Sequence, residues 1–305
     1  MKSFVRFAFL LILTLTLAFL LPASRLDSEF CVPVRQAVYT ALSVVPYSFF
    51  EIFLLFLPLL LLVSIKLAFL VFNRKTVAGI LIIVSFSYLI NIAIPSRKSD
   101  DAYFCTETSQ DTLLCASEEL ILDINLLGNR EDFVFSELPF GAKRTIFPRL
   151  YTALGISGLY YFPTAEYVVN TDAPDYVCAF TAAHEYAHFN SVMREDEANL
   201  FAFKLLSESE DLFFRYSAAL YAYEIIASEL KKENPEAYQS LSGRISDCAG
   251  EDLTLHSEYA EKYKNGVFYK HSVKLNDMMQ KIYDKRGKES YSSSAYLLAD
   301  YIVSR

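Results

Sequence analysis

In the stretch "TAAHEYAHFNSVMREDEANLFAF", residues 181–203, two of the chain's four histidines stand four positions apart with a glutamate beside the first. An acidic cluster begins seven residues after the second. His184-Glu185-Tyr186-Ala187-His188 is HExxH. On a helix, residues four apart share a face, so both imidazoles can reach one ion while Glu185 lies beside it. Two neutral imidazoles suit Zn2+, a third protein ligand leaves one coordination position for water, and the metal brings that water's pKa toward neutrality. Glu185 is then placed to take the proton. The competing reading is an ordinary charged helix with two incidental histidines. The flanks argue against it, because Ala182, Ala183, Tyr186, Ala187 and Phe189 are uncharged, as a buried metal-bearing helix requires.

A third ligand is expected in Glu195-Asp196-Glu197-Ala198-Asn199, an E-x-x-A-N run that can open a second helix. Glu195 in the first turn can face the metal, and Asn199, four residues on, shares that face and can hold a ligand by hydrogen bond. Glu197 would point about 200° away and reads as a solvated charge, although a shift in the helix start would exchange the two. The short spacing from His188 to Glu195 demands a sharp turn through Asn190, Ser191 and Val192. Arg194 occupies the position where a metzincin would carry its third histidine.

Around this stretch the second part of the chain reads as mainly helical. Apolar residues recur at three and four positions in Ala198–Leu206, Leu212–Leu230, Tyr238–Ile245 and Leu275–Tyr283. Tyr160–Asn170, "YYFPTAEYVVN", is aromatic and β-branched, which predicts a short strand or extended edge just before the motif. The segment near Val168–Asn170 could pair with an extended substrate. Hydrolysis of an amide also needs an oxyanion donor, for which His256, His271, Tyr259 and Tyr291 are candidates. Ser292–Ser294 form a short serine tract.

The first part differs. The chain is 53% hydrophobic, and the excess lies in three apolar runs at about 5–21, 45–72 and 77–94. Each approaches the roughly 20 residues that cross hydrocarbon as a helix, so three transmembrane helices within residues 1–98 are expected. Lys2 and Arg6 before the first run, and Lys66, Arg74 and Lys75 between the second and third, put those segments in the cytoplasm under the positive-inside rule. Residues 99–305 would then form an extracytoplasmic domain. Residues 1–98 hold nine basic and three acidic side chains, and residues 99–305 hold nineteen and thirty-three. The acidic second part offers no basic patch for nucleic acid. Of five cysteines, Cys105 and Cys115 could form a disulfide with Cys31 as competitor, and Cys178 and Cys248 read as buried thiols.

Taken together, "SGLYYFPTAEYVVN", "HEYAH", "REDEAN" and a late Ser290-Tyr291 before a final apolar helix resemble the bacterial membrane-anchored domain-of-unknown-function family numbered 3810. The resemblance implies a zinc-metallopeptidase-like, zincin-like helical domain with a short β edge before the HExxH helix. E-x-x-A-N is also similar to the E-x-x-A-[DN] element of CAAX-type endopeptidases, whose first Glu completes the zinc site. Carried over by position, the resemblance implies His184, His188 and Glu195 as ligands and Glu185 as base. It also puts Tyr291 ahead of the other oxyanion donors. Ser191 stands where the family tends to have Gly, and Ser292-Ser293 where Gly-Arg is expected.

The resulting expectation is a membrane-anchored, zinc-dependent metallopeptidase in the bacterial cytoplasmic membrane, acting on peptide or protein substrates and resting on the lipid bilayer. The alternative is a membrane-anchored sensor or binding protein with a non-catalytic metal site.

Overall fold

In α3 (Gln110–Leu127), Leu113, Ala116, Leu120, Ile121, Ile124 and Leu127 recur at three and four positions and make one buried stripe. Ser109 caps its start by accepting the Asp111 N–H. The computed structural model describes residues 31–63, 109–128, 137–161, 164–262 and 289–305, with a few isolated positions between them. The α3 stripe packs on α7 (Leu212–Glu233), whose start Asp211 caps, and on α10 (Glu289–Ser304). Leu220, Ile226, Leu230, Leu298 and Ile302 fill the space between them.

Against this bundle lie α5 (Asp175–Phe189) and α6 (Glu195–Ser207), which carry the HExxH and E-x-x-A-N residues. Eleven of the fifteen residues of α5 are buried, so it is a central helix with only a narrow accessible stripe. Asn234 caps α8 (Pro235–Ser242), and Pro235 occupies its first position, where no amide donor is needed. A further helix, α9, covers Asp247–Glu261. Ahead of the sheet's second strand lies the short helix α4 (Pro148–Leu154), closed by Gly155 at φ 68°.

The expected β edge is a three-stranded sheet of β1 (Lys143–Arg144), β2 (Gly158–Tyr161) and β3 (Glu166–Val169). The order is β1-β3-β2, with β1 parallel and β2 antiparallel to β3. Leu159 pairs with Val168, and Tyr160 with Tyr167. Since β3 is paired on both sides, it has no ladder to offer a substrate, contrary to the expectation for Val168–Asn170.

Three N-terminal transmembrane helices are not supported. No helix among the described residues is long and apolar enough to cross a membrane. The second apolar run, 45–72, is described only as far as Val63, and its described part holds α2 (Phe49–Val63). The polar residues at the head of that run bind protein. Glu51 is buried and accepts hydrogen bonds from Thr145 Oγ1, Ile146 N and the hydroxyls of Tyr151 and Tyr161. The run at 5–21 and nearly all of 77–94 lie outside the described residues, as do Cys105, His271 and the helix expected at Leu275–Tyr283.

A second buried carboxylate ties the same segment down. Glu166 of β3 pairs with Lys143 of β1 at 2.7 Å and accepts the N–H groups of Phe49 and Phe50 at the open start of α2. Burial would raise its pKa, but Lys143 and the two amides hold it below the ordinary value. Through Glu51 and Glu166, residues 48–51 are hydrogen-bonded into the sheet. Cys178 is buried as expected, whereas Cys248 and Cys115 are exposed thiols.

Candidate metal centre

The two histidines sit on the accessible stripe of α5, their rings 4.7 Å apart between centroids and nearly perpendicular. His184 Nδ1 lies 2.8 Å from Asn199 Oδ1, and His188 Nδ1 lies 2.8 Å from the Val192 carbonyl. Both partners are oxygens that accept, so each Nδ1 donates. The Asn199 amide is oriented in turn by its Nδ2, which donates to Ser294 Oγ of α10 at 3.1 Å. Each imidazole therefore turns Nε2 toward the same point, where Glu195 is waiting. His184 Nε2 is 3.2 Å from Glu195 Oε2, and His188 Nε2 is 3.9 Å from Oε1. One ligand atom from each of His184, His188 and Glu195 lies within 4.8 Å of the others. Among the described residues this is the one such group of His, Cys, Asp or Glu.

Glu195 starts α6, which brings it to the cluster, and Asn199 follows on the same face. Glu197 points elsewhere and meets Arg194 at 3.5 Å. Asp196 is buried and held by the Arg194 guanidinium at 2.7 Å. Burial would raise the Glu195 carboxyl, but the hydrogen bond and charge of His184, then the charge of His188, hold it down at about 2. Glu185 is 6% exposed. Burial pushes its carboxyl up to about 7, opposed by His188 and reinforced by Glu195.

The space for Glu185 comes from a residue that the motif does not show. A Cβ on Gly158 would stand 2.8 Å from Glu185 Cγ and Oε1 and 2.5 Å from Thr181 Cγ2. Gly158 lets the β2 backbone approach the glutamate without a clash. The turn between the ligand helices is equally specific. Ser191 N–H donates to His188 O and Val192 N–H to Ala187 O, the two bonds of a Schellman ending, with Ser191 at φ 74°.

Of the oxyanion candidates, His256 and Tyr259 have their hydrogen-bond partners in other side chains, and His271 lies outside the described residues. His256 Nδ1 is 2.9 Å from both carboxylate oxygens of Glu224, and its ring stacks on Tyr221. The Tyr259 hydroxyl accepts from Asn170 Nδ2 at 2.8 Å. Tyr291 falls in the first turns of α10, but its side chain lies outside the described residues. Spacing points to a turn at Ser191 and Val192 but not to the carbonyl that Val192 offers His188, and no motif marks Gly158 or Ser294, whose roles arise from contacts across the fold.

A family model matches residues 107–299, a span that contains the cluster, the turn, Gly158 and Ser294. The chain belongs to the family described as Protein of unknown function (DUF3810). Arg35, Ser48 and Glu51, which hydrogen-bond into the DUF3810 region, lie before the matched span. No curated protein and no solved structure matches the chain.

Proposed function

We propose that this DUF3810 protein is a zinc-dependent metallopeptidase that hydrolyses peptide bonds in peptide or protein substrates. The observation that carries the reading is the convergence of His184, His188 and Glu195 with the buried carboxyl of Glu185 next to the first histidine in sequence and tucked beneath β2. The donor set fits zinc. Two imidazoles present Nε2 because their Nδ1 atoms are engaged, and one carboxylate completes three protein ligands. A structural zinc site closes all four positions with protein, whereas the described residues supply three.

When bound there, zinc would supply Lewis acidity toward a carbonyl and toward water. The remaining work falls to the chain. Glu185 is the base that accepts a proton from the attacking water and returns it to the leaving amine. Asn199 and the Val192 carbonyl keep the two imidazoles in the tautomer that ligates. The outer strand of the described sheet, β2, passes Glu185 at Gly158, so an extended peptide laid along β2 would run past the base.

The test is hydrolysis of a peptide library by the zinc-loaded full chain beside Glu185→Gln. The expected result is turnover by the wild type and a loss of about 10²- to 10⁴-fold in the variant with zinc retained. A zinc-loaded wild type that cleaves nothing, or a variant that functions as well as wild type, would favour a sensor or binding protein with a non-catalytic metal site.

A further inference from the structure

We infer that Arg35, far outside the motif, is a positioning residue of the metal centre: it holds Ser191 in the left-handed turn that aims the Val192 carbonyl at His188. The inference rests on the metal reading given above.

Ser191 has a φ of 74°, in a region that side-chain-bearing residues avoid and glycine accepts freely. A Schellman ending needs that conformation at this position, and glycine is its usual occupant. Here a serine supplies it. Ser191 is buried, and its Oγ accepts a hydrogen bond of 2.5 Å from Arg35 Nη2 on α1 (Val32–Leu42). Arg35 is 1% exposed, and its guanidinium lies over the Phe189 ring, 6.0 Å from the centroid. It therefore places a cation at the carboxyl end of α5, where the helix dipole favours one.

The turn has direct consequences for the ligands. Val192, the next residue, gives the carbonyl that takes His188 Nδ1–H at 2.8 Å. Three residues later Glu195 opens α6. A relaxation of Ser191 out of its left-handed state would rotate the following peptide and move that carbonyl away from the imidazole. The Arg35 bond fixes the hydroxyl, and with it the backbone, against that relaxation. A serine at this position makes the centre depend on a side chain from α1, whereas a glycine would not.

The experiment is zinc affinity of the full chain by chelator competition, with melting temperature measured on the same samples. Ser191→Ala keeps the Cβ at the strained φ but removes the acceptor, and should bind zinc about tenfold more weakly. Ser191→Gly removes the acceptor and the strain together, and should stay within about twofold of wild type. Arg35→Met should lose about as much as Ser191→Ala, and adding Ser191→Gly to it should restore affinity. Thr145→Val is the control. It cuts a different tie, to Glu51, and should lower the melting temperature without changing zinc affinity.

Equal affinities for Ser191→Ala and Ser191→Gly would overturn the inference, as would a double variant no better than Arg35→Met. A loss in Thr145→Val as large as in Ser191→Ala would overturn it too, by tracing the effect to general destabilisation. The Ser191 pair answers the question even if Arg35→Met does not fold. A wild type that binds no zinc would overturn the metal reading and this inference with it. A wild type that binds zinc alongside an unaffected Ser191→Ala would overturn this inference alone.

Discussion

Replacing Glu185 by Gln should make the metal-free protein more stable at alkaline pH and leave it unchanged in acid. In the folded chain burial holds the proton on Glu185 to about 7, against an ordinary value of 4.5. Between those values the folded state keeps a proton that the unfolded state has released, so stability falls as pH rises from about 4.5 through about 7. The difference corresponds to roughly 3 kcal/mol, all of it present as a penalty at pH 8. The glutamine side chain has the same shape with no charge to bury and escapes that penalty. Urea unfolding of both proteins with a chelator, at pH 4 and at pH 8, reads the difference directly. The variant should lead by about 3 kcal/mol at pH 8 and by almost nothing at pH 4. Adding zinc should shrink the lead at pH 8, because a nearby cation favours the carboxylate. A lead that does not change with pH, or a wild type that is the more stable at pH 8, would refute the burial argument.

Other outcomes follow from the same contacts. Asn199→Ala removes the oxygen that takes His184 Nδ1–H, and should weaken zinc binding about 10- to 100-fold by chelator competition while the fold persists. Gly158→Ala drives a Cβ into Glu185 and Thr181, and should cost about 1–3 kcal/mol in urea unfolding and depress any Glu185-dependent turnover. Glu166→Gln leaves Lys143 buried without its charge partner and should cost about 3–5 kcal/mol at pH 7. The Glu166 pKa is lowered in the fold, so its contribution is complete above the ordinary carboxylate value and is lost as pH falls through the folded value. The gap between wild type and Glu166→Gln in acid unfolding should therefore close at low pH.

What could be read from residues alone was whatever spacing on one element decides. HExxH on a helix puts His184 and His188 on one face by geometry, and E-x-x-A-N does the same for Glu195 and Asn199. The periodicity of Leu212–Leu230, which forms α7, is equally local, whereas the α3 stripe and the caps Ser109 and Asp211 emerge only in the structure. Contacts across the fold were beyond that reasoning. Arg35 and Ser191 are 156 positions apart, and nothing in either neighbourhood signals the pair. Ser294 belongs to a serine tract that looks like a polar surface, yet it is buried against Asn199. The apolar run at 45–72 misled for a related reason. Its apolar composition suggested lipid, and nothing around Ser48 and Glu51 signals the partners that bind its head, which lie about a hundred positions away. β3 offered β-branched and aromatic residues that suit an edge, but pairing with β1, a strand of only two residues, makes it central.

The most direct test of the central claim is zinc stoichiometry of the purified full chain, by elemental analysis, for wild type, Glu195→Ala and Glu197→Ala. The full chain is required because Arg35, Ser48 and Glu51 hydrogen-bond into the region that holds the cluster. One zinc per chain is predicted in wild type and in Glu197→Ala, and its loss in Glu195→Ala. A folded wild type without zinc, or one that keeps it when Glu195 is removed, would contradict the assignment of His184, His188 and Glu195 as a zinc site.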